Sequence, residues 1–350
     1  MFLVRDAQKT DLRGIKRLAV SLNSVNLPND EADLAALIDR STKSFSGRIA
    51  DPRRREYLFV VEDSSAGKIA GTSLIIAQHG TFEAPHIFYE VTEREHYSAS
   101  IGRHFRHKVL SIAYNYDGPT EVGGLVVDPS YRGNPERVGK QLSYVRFLFI
   151  AMHRSAFRDN VLAELLPPLL PNGKSLLWEA IGRKFTGLTY QQADRLSRQN
   201  KEFIKELFPA SGIYATLFPE KTQRVIGEVG LASRPVKNML EQIGFRYVDH
   251  IDPFDGGPHY EAATVDVTLV QQYRSCRVSP RDLAVPGASV LIAAERASGR
   301  HRFRAVKSEV AFENRQALLT TSAKDALQIG PGATVGIVPF PSPQPLVGRR

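Results

Sequence analysis

The sequence predicts an α+β protein in which helices flank a mixed sheet, followed by a small C-terminal β-barrel-like domain. Three observations support this fold class. From the N-terminus to about residue 250, runs of β-branched residues alternate with stretches in which apolar residues recur at helical spacing. Short strand-like runs separated by turn residues then dominate residues 289–339. The length of 350 residues suits two or three domains, and 42% hydrophobic residues is ordinary for a globular protein.

The first elements are a strand and two helices. Residues 2–5 predict a short strand, and apolar residues at helical spacing begin at Leu12. Either Thr10 or Asp11 is suited to the N-cap of that helix. A second amphipathic helix is predicted over Asp30–Phe45.

A hairpin and a mixed segment are predicted next. The β-rich runs Tyr57–Glu62 and Lys68–Gln78 are separated by the turn residues 63–67, which is a hairpin signal. Residues 79–120 are predicted as strand and loop, with helix-compatible spacing over Ile101–Ile112.

The middle of the chain predicts a strand followed by a helix. Glu121–Val127 is apolar and β-branched and predicts a central strand, and a long helical pattern begins near Val138. A helix is also predicted over Ser175–Phe185. Two similar phrases, Trp178–Phe185 and Met239–Phe245, favour either two related halves or merely a repeated helix C-cap glycine.

Composition restricts the function classes. The single cysteine, Cys276, excludes an intramolecular disulfide and a cysteine-rich zinc site, and it favours the reducing cytoplasm. We expect no signal peptide and no membrane span, because no apolar run approaches about 18 residues. The net charge is +9, concentrated towards the C-terminus, but the sparse aromatic residues there make nucleic acid an unfavoured partner.

One stretch carries a physical argument for a ligand. Residues 125–142 run from a buried strand into a basic turn with two glycines and then into a helix. Free N–H groups at a helix start can hold a phosphate, and glycine lets a ligand approach the backbone. The pattern therefore predicts either a phosphate-binding loop or an ordinary strand–helix connection.

The same stretch resembles a known family. Val127-Asp-Pro-x-Tyr-Arg-Gly133, followed by Gly139 and Leu142, resembles the acyl-CoA pyrophosphate loop of the GCN5-related N-acyltransferases. Within that superfamily, residues 2–265 resemble bacterial arginine N-succinyltransferase, most specifically in Phe254-Asp-Gly-Gly-Pro258. The resemblance implies a GCN5-related N-acyltransferase-like mixed sheet.

The resemblance also implies a reaction and a donor site. The reaction is transfer of a succinyl group from succinyl-CoA, the co-substrate, to the α-amine of L-arginine in arginine catabolism. No metal and no tightly bound cofactor is expected. Backbone N–H groups of the central strand would polarise the thioester carbonyl. The residues expected to bind acyl-CoA are Leu125, Val127, Arg132, Gly133, Arg137, Val138, Gly139 and Lys140.

The chain departs from the family at three places. The family's histidine, regarded as the proton donor, is replaced by Gly230, which cannot transfer a proton. Where the family has an early glycine-rich segment, this chain has Ser21–Pro28. Where the family has a further motif before the central strand, this chain has Asn115–Thr120. These positions belong to the acceptor and acyl pockets.

Other residues are candidates for the missing chemistry. Glu121, just before the central strand, is a candidate general base, and its alternative is a solvated strand-end carboxylate. His250 is a candidate because an imidazole titrates near neutral pH, although a lone histidine is often structural. Asp252 and Asp255 are candidate ligands of a guanidinium group, but Asp255 is equally suited to forming a turn.

The predicted organisation follows from these assignments. Residues 1–190 are expected to form an acyltransferase-like half with the acyl-CoA loop, and 191–270 a second portion that completes the acceptor site. Residues 271–340 are expected to form a small basic β domain, and 341–350 a tail. We expect a cytoplasmic, oligomeric N-acyltransferase. The alternatives are a paralogue with another donor or amine acceptor, and a non-catalytic subunit or ligand sensor.

Overall fold

The computed structural model describes residues 1–20, 27–28, 30–82, 84–171, 173–197 and 200–341. Most of the departure at Ser21–Pro28 and of the predicted tail at 341–350 therefore lies outside the described residues. The chain divides into two compact units. The first comprises Met1–Ile76, Gly123–Phe157 and Val265–Arg350, and the second comprises Ala77–Val122 and Arg158–Thr264.

The secondary structure alternates strands and helices. In chain order the strands are β1 Phe2–Asp6, β2 Glu56–Asp63, β3 Lys68–Ile76, β4 His86–Ser98, β5 Arg103–Asn115, β6 Thr120–Val127, β7 Asn160–Glu164, β8 Ile213–Tyr214, β9 Arg246–Ile251, β10 Pro258–Ala263, β11 Arg274–Asp282, β12 Ala288–Glu295, β13 Phe303–Glu313, β14 Gln316–Leu319 and β15 Thr334–Pro339. The helices are α1 Leu12–Ala19, α2 Glu31–Phe45, α3 Val138–Met152, α4 Leu176–Ala180, α5 Gly182–Thr186, α6 Tyr190–Ser197, α7 Glu202–Leu207, α8 Glu220–Gln223, α9 Arg234–Glu241, α10 Thr268–Gln271 and α11 Thr321–Leu327.

The sheet of the first unit ends in a closed barrel. Its strand order is β12-β15-β11-β14-β13-β1-β2-β3-β6, and an additional pairing of β12 with β13 closes the five C-terminal strands. The β11–β14 pair is parallel, whereas β1 pairs antiparallel with β13 and with β2. This confirms the predicted small C-terminal barrel.

The sheet of the second unit is also mixed. Its strand order is β6-β7-β10-β9-β4-β5-β8. The β6–β7 pair is parallel, and the β7–β10, β9–β10 and β4–β5 pairs are antiparallel. The predicted α+β class with a mixed sheet is therefore confirmed. How the two predicted halves relate stays a prediction, since the phrase Met239–Phe245 leads into β9 and the phrase Trp178–Phe185 leads into α6.

Helix α2 illustrates how sequence produces packing in the first unit. The Asp30 carboxylate caps the helix by accepting from the N–H groups of Ala32 and Asp33. Phe45, the last residue of α2, packs edge-on against Phe59 of β2 and Phe149 of α3. The predicted helix over Asp30–Phe45 is confirmed. The ring contacts of Phe45 hold this helix against the sheet.

Two predicted helices differ in the structure. Ile101–Ile112, predicted as helix-compatible, lies mostly in β5, which pairs along its whole length of 13 residues with β4. Cross-strand pairing between apolar and aromatic side chains stabilises this hairpin and overrides the local spacing. The helix predicted over Ser175–Phe185 breaks at Ile181 into α4 and α5, and Trp178 N–H is capped by the Ser175 hydroxyl.

Among the described residues, every helix is too short or too polar to cross a membrane.

Candidate active site

Strand β6 contacts β3 unusually closely. A Cβ on Gly71 of β3 would lie 2.5 Å from the Val126 carbonyl oxygen, so only glycine permits this approach. Gly124 has a φ of +56° in the middle of β6, and its carbonyl accepts from the Thr72 hydroxyl at 3.0 Å. A glycine in this conformation bends the strand locally.

The two faces of β6 differ. Val126 is buried, whereas Leu125 and Val127 alternate with it and are half-buried. Among the described residues, β6 pairs in parallel with β7 at Thr120 and Glu121. The predicted donor residues Leu125 and Val127 therefore lie on one face of β6, beyond the residues that pair with β7.

The turn after β6 is held by side chains. The Asp128 carboxylate accepts from the N–H and hydroxyl of Ser130, at 3.0 and 2.6 Å, and its backbone N–H donates to the Ala70 carbonyl at 2.9 Å. Arg17 Nη2 lies 3.3 Å from the other Asp128 oxygen. These bonds lower the pKa of the Asp128 carboxyl and fix the start of the turn.

The end of this turn presents the predicted phosphate ligands. Arg132 and Gly133 are exposed, Gly133 has a φ of +75°, and no atom lies within 4 Å of a Cβ built there. Arg137, directly before α3, adopts a left-handed conformation with a φ of 53°. Such a conformation is costly for a residue with a side chain and is typical of functional turns.

Helix α3 begins at Val138, as predicted. The N–H groups of Lys140 and Gln141 donate to the Arg137 carbonyl, while those of Val138 and Gly139 precede the first intrahelical bonds. Burial and the nearby Arg137 lower the pKa of the Lys140 ammonium, which lies 4.9 Å from the Tyr144 ring centroid. Arg137, Val138, Gly139 and Lys140 thus lie at the N-terminus of α3, the kind of position where anions bind, and Arg132 and Gly133 precede them in the turn.

A second group of candidate residues lies in the second unit. Glu121 is 1% exposed, and its carboxylate is hydrogen-bonded to His79 Nδ1. This excludes the solvated strand-end alternative for Glu121. The His79 and His86 rings lie 4.5 Å apart, and His86 stacks on His259 with centroids 5.3 Å apart. Sequence reasoning missed His79 and His86 as site residues, although two histidines within eight residues were a visible signal.

His250, the second catalytic candidate, lines a cavity in this unit. The cavity has a volume of about 240 Å³, which suits a small ligand. Burial lowers the pKa of the His250 imidazole, so it is neutral at physiological pH and can accept a proton. His86, Arg158 and Glu261 also line the cavity.

The Phe254–Pro258 phrase forms a tight loop between β9 and β10. Asp252 accepts from the N–H groups of Phe254 and Asp255, at 2.7 and 3.1 Å, and Asp255 accepts from Gly257 N–H at 2.8 Å. Burial raises the pKa of both carboxyls, that of Asp255 to about 7. The two aspartates thus form the turn, and a role as substrate ligands stays a prediction.

Gly230, at the family's histidine position, is closely packed. Its N–H donates to the Leu166 carbonyl at 2.9 Å, and a Cβ built there would lie 2.7 Å from the Pro167 carbonyl oxygen. A side chain at this position needs a shift of backbone. The local structure at this position therefore suits glycine.

Comparison with known proteins gives consistent matches over the whole chain. A family model described as arginine N-succinyltransferase beta subunit matches residues 2–269. The arginine N-succinyltransferase of Yersinia pestis is 33% identical over 98% of this chain and 99% of its own length. The arginine N-succinyltransferase of Photorhabdus laumondii is 32% identical over 97% and 98%. The solved structure of arginine/ornithine succinyltransferase subunit AI from Pseudomonas aeruginosa has a TM-score of 0.81 and 29% identity, covering 97% of this chain and 98% of that one.

The relatives are N-acyltransferases, and the mixed sheet whose strand β6 leads through a basic glycine turn into a helix is compatible with that class. The fold match and the relatives place this enzyme more narrowly. The chain belongs to the arginine N-succinyltransferase family.

Proposed function

We propose that this protein transfers the succinyl group of succinyl-CoA to the α-amine of L-arginine in arginine catabolism. The observation that supports this proposal is the basic, glycine-containing turn between β6 and α3, which leads into a helix N-terminus in a chain of this family. The GCN5-related N-acyltransferase architecture is part of the same proposal, with β6 as the strand that contacts the thioester.

The first unit holds the donor in this proposal. The N–H groups of Val138 and Gly139, together with the side chains of Arg132, Arg137 and Lys140, bind the pyrophosphate. Gly133 leaves room for the phosphates next to the backbone. In a separate contact, backbone N–H groups of Leu125 and Val127 donate to the thioester carbonyl and stabilise the oxyanion that forms there.

Two residues are candidates for the base in the proton transfer. The amine nitrogen forms a bond to the acyl carbon, the carbon–sulfur bond breaks, and the amine proton passes to a base, for which His250 is the first candidate. His250 is favoured because it is neutral and lines a cavity. Glu121 is the second candidate for the base, since its buried carboxylate is paired with His79. The departing thiolate takes up a proton and leaves as CoA.

Asp252 and Asp255 are proposed to recognise the acceptor. Burial without a cation raises the pKa of both carboxyls. A guanidinium group beside them would favour the charged carboxylates, so the binding of arginine releases protons. The remaining features of the proposal are a cytoplasmic location, no tightly bound cofactor, and assembly into an oligomer, for which the Pseudomonas aeruginosa relative's description as a subunit is the support.

A thiol-release assay tests the proposal. Purified protein is incubated with succinyl-CoA or acetyl-CoA, each with arginine, ornithine, lysine or no acceptor. We expect release of CoA thiol that depends on both succinyl-CoA and arginine. His250→Gln is expected to lower kcat about 100-fold with little change in KM, and Glu121→Gln tests the second candidate. Turnover only with a different donor–acceptor pair would make the chain a paralogue of other specificity.

One observation favours a second candidate function. Gly230 occupies the family's histidine position in a space that a side chain does not fit. If the chain binds CoA but releases no thiol with any acceptor, it functions as a non-catalytic subunit or ligand sensor. Isothermal titration with CoA and arginine, run beside the assay, separates that outcome from an unfolded preparation.

A further inference from the structure

Three side chains of the second unit converge in a way that the acyl-transfer reaction does not use. His79 follows β3, His86 begins β4 and Glu164 ends β7. One nitrogen or carboxylate oxygen from each lies within 4.8 Å of the others. Ligands from three separate chain segments meet at one point, which is the usual construction of a protein metal site.

Among the described residues, His86 of this cluster and the neighbouring His259 lack hydrogen-bond partners. His86 is 2% exposed and neighbouring His259 is fully buried. Within the described ranges, neither ring nitrogen of either histidine makes a hydrogen bond. A buried polar atom without a partner costs about 1–3 kcal/mol, so each such nitrogen requires an explanation. A bound ion supplies the missing partner.

Charge and softness identify the kind of ion. His86 Nε2 lies 3.3 Å from Glu164 Oε1, and His259 Nε2 lies 3.5 Å from the same oxygen. A neutral imidazole offers a nitrogen lone pair to a bound ion. Two neutral imidazoles and a carboxylate suit Zn²⁺ and its neighbours, whereas Mg²⁺ and Ca²⁺ prefer oxygen ligands.

The surroundings complete the arrangement. The Glu121 carboxylate is hydrogen-bonded to His79 Nδ1, and a carboxylate on one ring nitrogen is the usual means of orienting a metal-bound histidine. His86 also borders the cavity of about 240 Å³, which provides a route for an ion from solvent. The His259 ring lies beside the cluster, stacked on His86 with ring centroids 5.3 Å apart.

We propose that His79, His86 and Glu164 bind one divalent transition-metal ion of the zinc type, with Glu121 orienting His79. Glu121 and the cavity also belong to the proposed acyl-transfer site, whereas the argument for the ion rests on His79, His86 and Glu164. It departs from the expectation, drawn from the family resemblance, that no metal is involved.

Cobalt titration tests the site directly. Full-length protein is treated with a chelator, dialysed and titrated with Co²⁺, whose visible absorption reports coordination, and Zn²⁺ is then added in competition. We expect one Co²⁺ per chain, displaced by one Zn²⁺. Glu164→Gln and His86→Asn are each expected to weaken Co²⁺ binding at least tenfold, and circular dichroism checks that both variants are folded.

The control variant is His104→Ala, because His104 is exposed on the β4–β5 hairpin and lies outside the cluster. It is expected to bind Co²⁺ as the unmodified chain does. Absence of saturable binding, or wild-type affinity in folded Glu164→Gln, would overturn the proposal. Because the titration contains neither CoA nor arginine, its failure leaves the thiol-release result unaffected, and the converse also holds.

Discussion

At the scale of single residues, the donor proposal depends on two arginines. Arg132 is exposed in the turn after β6, and Arg137 directly precedes α3 in a left-handed conformation. Replacing both with alanine is expected to weaken CoA binding by about 1 kcal/mol for each lost phosphate contact, which is roughly 30-fold in total. Isothermal titration measures this change.

Arg103→Ala is the matched control for the double variant, since Arg103 is an exposed arginine on β5. It is expected to retain the affinity of the unmodified protein. Wild-type affinity in the Arg132/Arg137 double variant would remove both arginines from the donor site.

Asp6 links stability to pH. Burial raises its pKa to about 6, although it accepts from Phe303 N–H at 3.2 Å. The folded state therefore binds more protons than the unfolded state between about pH 4 and pH 6, so stability falls as pH rises through that window. The unmodified protein is expected to lose about 2 kcal/mol of its free energy of unfolding between pH 4 and pH 7 through this group, and Asp6→Asn is expected to abolish that loss.

Urea unfolding of both proteins at several pH values measures this difference. Asp325→Asn, at an exposed position in α11, provides the control and is expected to leave the pH dependence unchanged. If the curves of unmodified protein and Asp6→Asn run parallel from pH 4 to pH 7, Asp6 does not titrate as described.

Residue types in the sequence identified candidate catalytic residues but not the side chains that contact them. Glu121 and His250 were recognisable as candidates from residue type and position. That Glu121 contacts His79, while His250 lines a cavity, depends on pairings between distant strands. Such contacts arise only when the sheet forms, because side-chain distances follow from strand register rather than from sequence spacing.

At the scale of elements, the close approach of β3 and β6 positions the donor strand. A Cβ on Gly71 would lie 2.5 Å from the Val126 oxygen and 2.7 Å from Leu142 Cδ1. Gly71→Ala is therefore expected to destabilise the protein by about 2 kcal/mol, because the strands must separate. It is also expected to weaken CoA binding, since β6 leads into the turn.

Gly330→Ala is the control, because no atom lies within 4 Å of a Cβ built at that glycine. It is expected to change the free energy of unfolding by a few tenths of a kcal/mol at most. Denaturant unfolding and CoA titration measure both variants. Equal stability of Gly71→Ala and Gly330→Ala would contradict the tight β3–β6 contact.

Elements were predictable where local and tertiary preferences agree. The strand at Glu121–Val127, the helix from Val138 and the helix ending at Phe45 were all expected from spacing. The helical interpretation of the spacing over Ile101–Ile112 was wrong, because pairing of β5 with β4 outweighs local spacing.

At the scale of the whole molecule, the C-terminal strands are part of the first unit. β13 pairs with β1, and Phe303 packs against Phe59 and Phe149 with ring centroids 5.4 and 5.3 Å apart. A chain ending at residue 270 would retain the whole segment that the family model matches. It is nevertheless expected not to fold stably, because β1 and this aromatic cluster lose their partners.

Soluble expression and thermal unfolding of residues 1–270, beside the full-length protein, measure this effect. We expect an insoluble product or a loss of cooperative unfolding. A soluble 1–270 chain that unfolds cooperatively at the Tm of the full-length protein would show that the barrel is dispensable for the first unit.

The sequence by itself determined the α+β class, the C-terminal barrel, the strand–turn–helix at residues 121–152 and the family. These features are local, since periodicity, turn chemistry and a contiguous motif are read along the chain. Only the tertiary structure decided how separated segments assemble into two units, and which side chains meet around His86. The physical reason is that the histidine cluster and the close β3–β6 contact join residues far apart in sequence, and strand pairing alone brings them together.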